Sequence, residues 1–168
     1  MDVLEAIKGR RSIRKYQESP VSEGQVREIL EAGRWAPSRG NSQAWKFITV
    51  DNARTLRYLA EAIPTGKFMA GAPLAIAVVI DPEVSKHPEQ DGAAATQNIL
   101  LAAHALGLGA CWISVYGTGC EERAKQLLRI PDGEWLLSIV AIGHPAERPE
   151  KGRKALDEIT FTNKYALR

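Results

Sequence analysis

Residues 73–81, PLAIAVVID, constrain the fold more than any other stretch, because the run between Pro73 and Asp81 is wholly apolar. A strand with one wet face alternates apolar and polar residues; an unbroken run marks a strand covered on both faces. Such a strand needs helices above and below it. EWLLSIVAIGH (134–144) reads as a second buried strand, GACWISV (109–115) as a third and KFITVD (46–51) as a fourth. Helical patterns lie between these strands, and alternation of this kind by itself suggests a parallel α/β sheet.

The helices announce themselves through caps and periodicity. Asp2 caps a short helix, DVLEAIKG (2–9), in which Val3, Leu4 and Ile7 share a face and Gly9 stops the run. In VSEGQVREILEAGRWA (21–36), Ser22 and Gln25 have the spacing of a capping box, Val26, Ile29, Leu30 and Gly33 form a stripe, and Pro37 ends the helix. NARTLRYLAEAI (52–63) turns Leu56, Leu59, Ala60 and Ile63 inward, and EERAKQLLRI (121–130) forms a short helix. DGAAATQNILLAAHALG (91–107) is hydrophobic almost all round, which predicts a central, doubly covered helix with Gly107 just past its end. From Pro145 the chain turns polar. Phe161, Tyr165 and Leu167 lie among polar residues in the tail, a pattern suited to docking on a partner subunit.

The length, 168 residues, fits one domain spanning 1–168. A formal net charge of +2 argues against a general nucleic-acid coat. No apolar run reaches the length of a membrane span and the N-terminus lacks a signal-peptide pattern, so a cytoplasmic location is expected. Cys111 and Cys120 fit neither a metal spacing nor a CxxC motif, and read as reduced thiols. His87, His104 and His144 lack a second ligand at helical spacing, so no metal site is expected.

Three segments carry candidate chemistry. GRRSIRKY (9–16) gathers Arg10, Arg11, Arg14 and Lys15 around Ser12; clustered like charges gain a domain nothing, whereas guanidinium forks match phosphate. In an extended segment Arg10, Ser12 and Arg14 point the same way. APSRGNSQAWKF (36–47) offers a polar loop beside Trp45, either as a ligand wall or as a core anchor. GLGACWISVYGTG (107–119) places Trp112 and Tyr116 where they could flank a planar ligand or simply pack. The phosphate-loop patterns GxxxxGK[ST] and GxGxxG are absent, and no catalytic triad stands out. A chain rich in donors for an anion and a flat ring, but poor in acids, bases and nucleophiles, suits an organic cofactor that carries the chemistry.

In order, RRSIRKY, APSRGNSQAWKFITV, DGAAATQNILLAAHALGLGACWI, AIGHP and GRKALDEI resemble the FMN-dependent nitroreductase superfamily across nearly the whole chain. The resemblance implies an α+β helix–sheet–helix sandwich with a mixed, largely antiparallel sheet, in place of the parallel one. It also implies a homodimer with FMN sites in its interface and exchanged C-terminal arms. Arg10, Arg11, Ser12 and Arg153 are implied to hold the FMN phosphate, and Arg14 to stabilise the reduced flavin. Pro37, Ser38, Arg39 and Asn41 are implied to approach the ring from the partner subunit. Ile113, Ser114 and Val115 are implied beside the ring, with Gln97 a further candidate. Ala44 stands where many members have Pro. The implied reaction is hydride transfer from NADH or NADPH through flavin N5 to nitroaromatic, quinone or similar acceptors, with ping-pong kinetics. A flavin carrier or sensor, another flavin reaction (dehalogenation, oxidation or flavin fragmentation) and a phosphate-ligand binder are the alternatives.

Overall fold

The computed structural model of the chain describes residues 1–165. In chain order the elements are α1 (Val3–Gly9), α2 (Glu23–Arg34), β1 (Trp45–Val50), α3 (Ala53–Ala62), β2 (Leu74–Ile80), α4 (Pro88–Ala105), β3 (Gly109–Ser114), α5 (Glu121–Leu128) and β4 (Trp135–Gly143). Short 3-10 helices span Arg39–Asn41, Pro64–Gly71 and Leu156–Glu158.

Local chemistry sets the helix ends. Asp2 accepts the N–H groups of Leu4 and Glu5 while Glu5 reaches back, and Ser22 and Gln25 form the expected capping box. α4 starts at Pro88, earlier than the apolar run suggested, because proline suits the first helical turn. It stops where Gly107, at φ 76°, donates to the His104 carbonyl and Leu108 donates to that of Ala103. That paired closure needs a residue in the left-handed region.

The four strands form one sheet in the order β1-β2-β4-β3, with every neighbouring pair antiparallel. The parallel sheet suggested by alternation is therefore corrected. Two helical segments, α3 and Pro64–Gly71, separate β1 from β2, and the chain enters β2 at the end where β1 finishes, Ala75 facing Val50. Among the described residues the parallel component is a single bridge between Ser12 and Ala110.

β2 explains its own sequence, since all seven residues are buried. Ala75, Ala77 and Val79 pack with Leu56, Leu59, Ile63 and Ala124 on the side of α3 and α5. Leu74, Ile76 and Val78 pack with Ile29, Ile99, Leu100 and Ala103 on the side of α2 and α4. The result is a helix–sheet–helix sandwich. Gly33 lets α2 approach closely, since a Cβ there would sit 3.0 Å from Phe47 and 3.1 Å from Ile99.

Two expectations change. Val3, Leu4 and Ile7 of α1 share a face, but it points outward, and Ala6 is the buried residue of that helix. α4 is covered on one side only. Ala95, Ile99 and Ala103 are buried, while Ala93, Ala94 and Leu101 are half-buried and Gln97 and Ala105 are exposed. Leu156, Ile159 and Tyr165 are exposed, and Tyr165 lies against the Phe161 ring at 4.4 Å. Leu167 falls outside the described residues. Among the described residues, no helix is long and apolar enough to cross a membrane.

Candidate functional site

The basic segment is built by one buried residue. Ile13 is nearly sealed, its N–H donates to the Ala110 carbonyl at 3.0 Å, and its side chain fills the space that a Cβ on Gly109 would need. In an extended chain the neighbours of an inward residue point outward. Arg10, Ser12 and Arg14 accordingly line a cavity of about 100 Å³, which Arg11 also lines although alternation would turn it the other way, and which Pro149, Lys151 and Arg153 close. The lining of this cavity holds five cationic side chains and no carboxylate. Burial, then the charges of Arg153 and Arg11, pull the Arg10 pKa below its ordinary value. Arg153, 143 positions further along the chain, thus arrives beside Arg10.

Several contacts fix this corner. The Tyr16 hydroxyl donates to the carbonyls of Ile13 at 2.6 Å and Ala141 at 3.2 Å, and burial pushes its pKa well up. The Arg14 N–H donates to Glu147 at 2.6 Å, and the Arg14 guanidinium stands 5.6 Å from the centre of the Phe68 ring. Arg11 turns back, donating to the carbonyls of Lys8 and Arg10, so it braces the end of α1 as well as lining the cavity. A larger cavity of about 400 Å³ adjoins, sharing Arg10 and Arg11 and including His104. Burial and the two arginines hold the His104 pKa below its ordinary value.

The second corner is the loop before β1. Gly40, Asn41 and Gln43 all take left-handed backbone conformations, at φ 61°, 57° and 49°. The Ser38 hydroxyl accepts the Gln43 N–H, closing the loop on itself. Asp91 of α4, only 4% exposed, accepts the Arg39 N–H at 2.9 Å and the Ser42 hydroxyl at 3.0 Å. The Ser85 hydroxyl donates to the same carboxylate at 2.6 Å. Burial alone would raise the Asp91 pKa; the bonds from Ser85, Arg39 and Ser42 outweigh it and hold the carboxyl below its usual value.

These corners lie far apart within one chain. The loop leads into Trp45 at the start of β1, whereas Ser12 pairs with Ala110, level through Ile142 and Leu74 with the far end of β1. Four strand spacings across, the last from β3 to the Ser12 segment, and six residues along put them roughly 28 Å apart on the diagonal. Ile113, Ser114 and Val115 lie on the same edge as the arginines, Ser114 about 13 Å along β3 from Ala110. Ile113 and Val115 belong to the core, and Ser114 is exposed.

The aromatic candidates resolve differently. Trp45 is a core anchor, buried with Ala36 and Ile80. Tyr116 stacks on Trp135 at 4.3 Å, and Trp112 packs against the α4 side of the core. Both side chains stay half-buried, so the packing alternative describes their contacts within the chain. Cys111 is buried and Cys120 half-buried, and both are free thiols. Sequence reasoning missed Tyr16, Phe68, Asp91 and Glu147.

The family model for the nitroreductase family matches residues 7–66 and 64–144. The chain belongs to the nitroreductase family. It is 45% identical over 155 residues to a Methanothermobacter thermautotrophicus protein with an assigned NADH dehydrogenase/NAD(P)H nitroreductase name, covering 89% of this chain and 80% of that one. An FMN-dependent nitroreductase from Clostridium difficile R20291 superposes with a TM-score of 0.90 at 31% identity, over 97% of this chain and 100% of the other. A structure described as a nitroreductase in complex with FMN, from Desulfovibrio desulfuricans, gives 0.85 at 36% identity, covering 99% of each chain.

Proposed function

We propose that this nitroreductase-family chain is an FMN-dependent NAD(P)H oxidoreductase acting as a homodimer on nitroaromatic, quinone or similar acceptors. The observation that carries the reading is the carboxylate-free cavity formed by Arg10, Arg11, Ser12, Arg14, Lys151 and Arg153. Guanidinium groups crowded together repel one another, and a dianion such as a phosphate ester relieves that repulsion. The donor set therefore fits the phosphate end of FMN, the group named in the Desulfovibrio desulfuricans complex.

Arg10, Ser12 and Arg153 hold the phosphate. The exposed edge of β3 guides the rest of the cofactor toward Ser114. Arg14 brings a guanidinium toward the flavin, and it is kept in place by Phe68 and by its N–H bond to Glu147. The chemistry supplied by bound FMN is two-electron transfer from NADH or NADPH to the acceptor. The protein contributes charge, orientation and access.

The diagonal separation of the corners supports a site completed by two chains. Pro37, Ser38, Arg39 and Asn41 of one copy face the flavin held by the arginines of the other. The outward apolar side chains of α1 and the uncovered side of α4 give a second copy something to bury. Leu156 and Ile159 in the tail offer further apolar surface to that copy.

The visible absorption spectrum of the purified protein, recorded before and after anaerobic NADH or NADPH, tests the reading. Flavin bands that bleach with either donor are expected. A colourless protein that also fails to take up added FMN overturns it.

A further inference from the structure

The loop before β1 is an expensive piece of backbone. Asn41 and Gln43 are not glycines, yet both sit in the left-handed region beside Gly40. Such conformations persist only where the surroundings over-determine them. Here the hydrogen bonds that tie this loop to α4, from the Arg39 N–H and the Ser42 hydroxyl, both end on Asp91. Asp91 is itself fixed from the other side by Ser85, whose oxygen also accepts the His87 N–H at 3.0 Å. A buried carboxylate whose bonds are all made to polar groups of two loops has a placement that packing alone does not require.

We propose that Asp91 is a positioning residue: its carboxylate locks the 38–43 loop in the conformation that presents Ser38, Arg39 and Asn41 to the flavin site of a second copy. The inference rests on the shared-site reading above. It adds a residue that touches neither flavin nor acceptor and acts through the loop.

Two serines make the test clean, because Ser42 and Ser85 donate to the same oxygen of Asp91. Ser42→Ala releases the loop, whereas Ser85→Ala releases only the turn before α4. The first readout needs no flavin: trypsin cleavage after Arg39, followed by mass spectrometry on the full-length protein. Loss of a hydrogen bond to a charged group shifts an opening equilibrium by about tenfold to a hundredfold, so Ser42→Ala should speed this cleavage by roughly that factor. Ser85→Ala should leave it near the wild-type rate even where its melting temperature falls as far. The second readout is the steady-state split on FMN-loaded protein. Ser42→Ala and Asp91→Asn should change kcat/KM for the acceptor while FMN affinity moves less.

Equal cleavage in the two serine variants, or kinetic losses that simply follow melting temperature, would make Asp91 a structural residue only. A Ser42→Ala variant with fast cleavage at Arg39 but unchanged kinetics would keep the lock and remove its link to the site, overturning the proposal. Should the wild type bind no flavin, the functional reading falls, while the cleavage comparison still decides whether Asp91 holds the loop.

Discussion

At the head of β3, five cationic side chains face one small cavity whose lining has no carboxylate. Before β1, a loop with its own arginine is tied through Arg39 and Ser42 to one buried carboxylate. The first corner carries uncompensated charge on a backbone anchored by Ile13 and Tyr16. The second spends its charge internally, on holding a strained backbone in place. A corner of the first kind is suited to bind an anion, since its own groups repel until one arrives. A corner of the second kind is suited to present a fixed surface. One corner can grip a cofactor and the other can shape the space around it, but strand geometry keeps them from doing both jobs for one ligand within a single chain.

The largest effect should come from emptying the first corner. Each charge-assisted hydrogen bond lost costs about 1.5–3 kcal/mol, so Arg10→Ala with Arg153→Ala should weaken FMN binding by roughly a hundredfold to ten-thousandfold in a fluorescence titration. Unchanged affinity would remove the phosphate assignment.

The next test asks whether the corners cooperate across chains. An Arg10→Ala/Arg153→Ala chain and an Arg39→Ala/Asn41→Ala chain should each be nearly inactive alone. Refolded together, they should regain activity, because a mixed dimer holds one site with both corners intact. Mixtures that stay inactive while mixed dimers are demonstrated by mass spectrometry would place both corners' duties within one chain.

A smaller change is expected at Phe68, whose ring faces the Arg14 guanidinium. An exposed cation–π contact is worth about 0.5–1 kcal/mol, so Phe68→Leu should slow anaerobic flavin reduction by roughly two- to fivefold, with FMN affinity little altered. Equal losses in both quantities would mean that Phe68 supports the phosphate end instead.

The smallest effect is acid sensitivity at the second corner. The folded pKa of Asp91 is held below its ordinary value, so its contribution to stability is complete above the unfolded carboxyl pKa of about 3.9. It fades as pH falls through the lower folded value, because the unfolded chain then binds the proton first. Asp91→Asn should flatten this part of the acid limb in a melting-temperature series, and an unchanged slope would contradict it.

Helix caps and buried stripes, which depend on near neighbours, were legible in the sequence. Asp2 and Ser22 cap helices through partners three residues away, and the unbroken apolar run of β2 demanded two covered faces, which it has. The crowding of Arg10, Arg11 and Arg14 marked a basic corner, and the resemblance added Arg153 to it. Periodicity left strand direction open, because it is the same whichever way a strand runs; the resemblance implied a largely antiparallel sheet, and the packed strands have it. Tertiary structure alone turned the apolar face of α1 outward and left one side of α4 uncovered. It also produced the bonds that shape both corners. Arg39 meets Asp91 across 52 positions, Ser42 meets it across 49, and Arg14 meets Glu147 across 133. Caps and stripes leave a pattern in sequence because the helix or strand fixes their spacing; contacts made after layers pack have no fixed spacing, and so leave none.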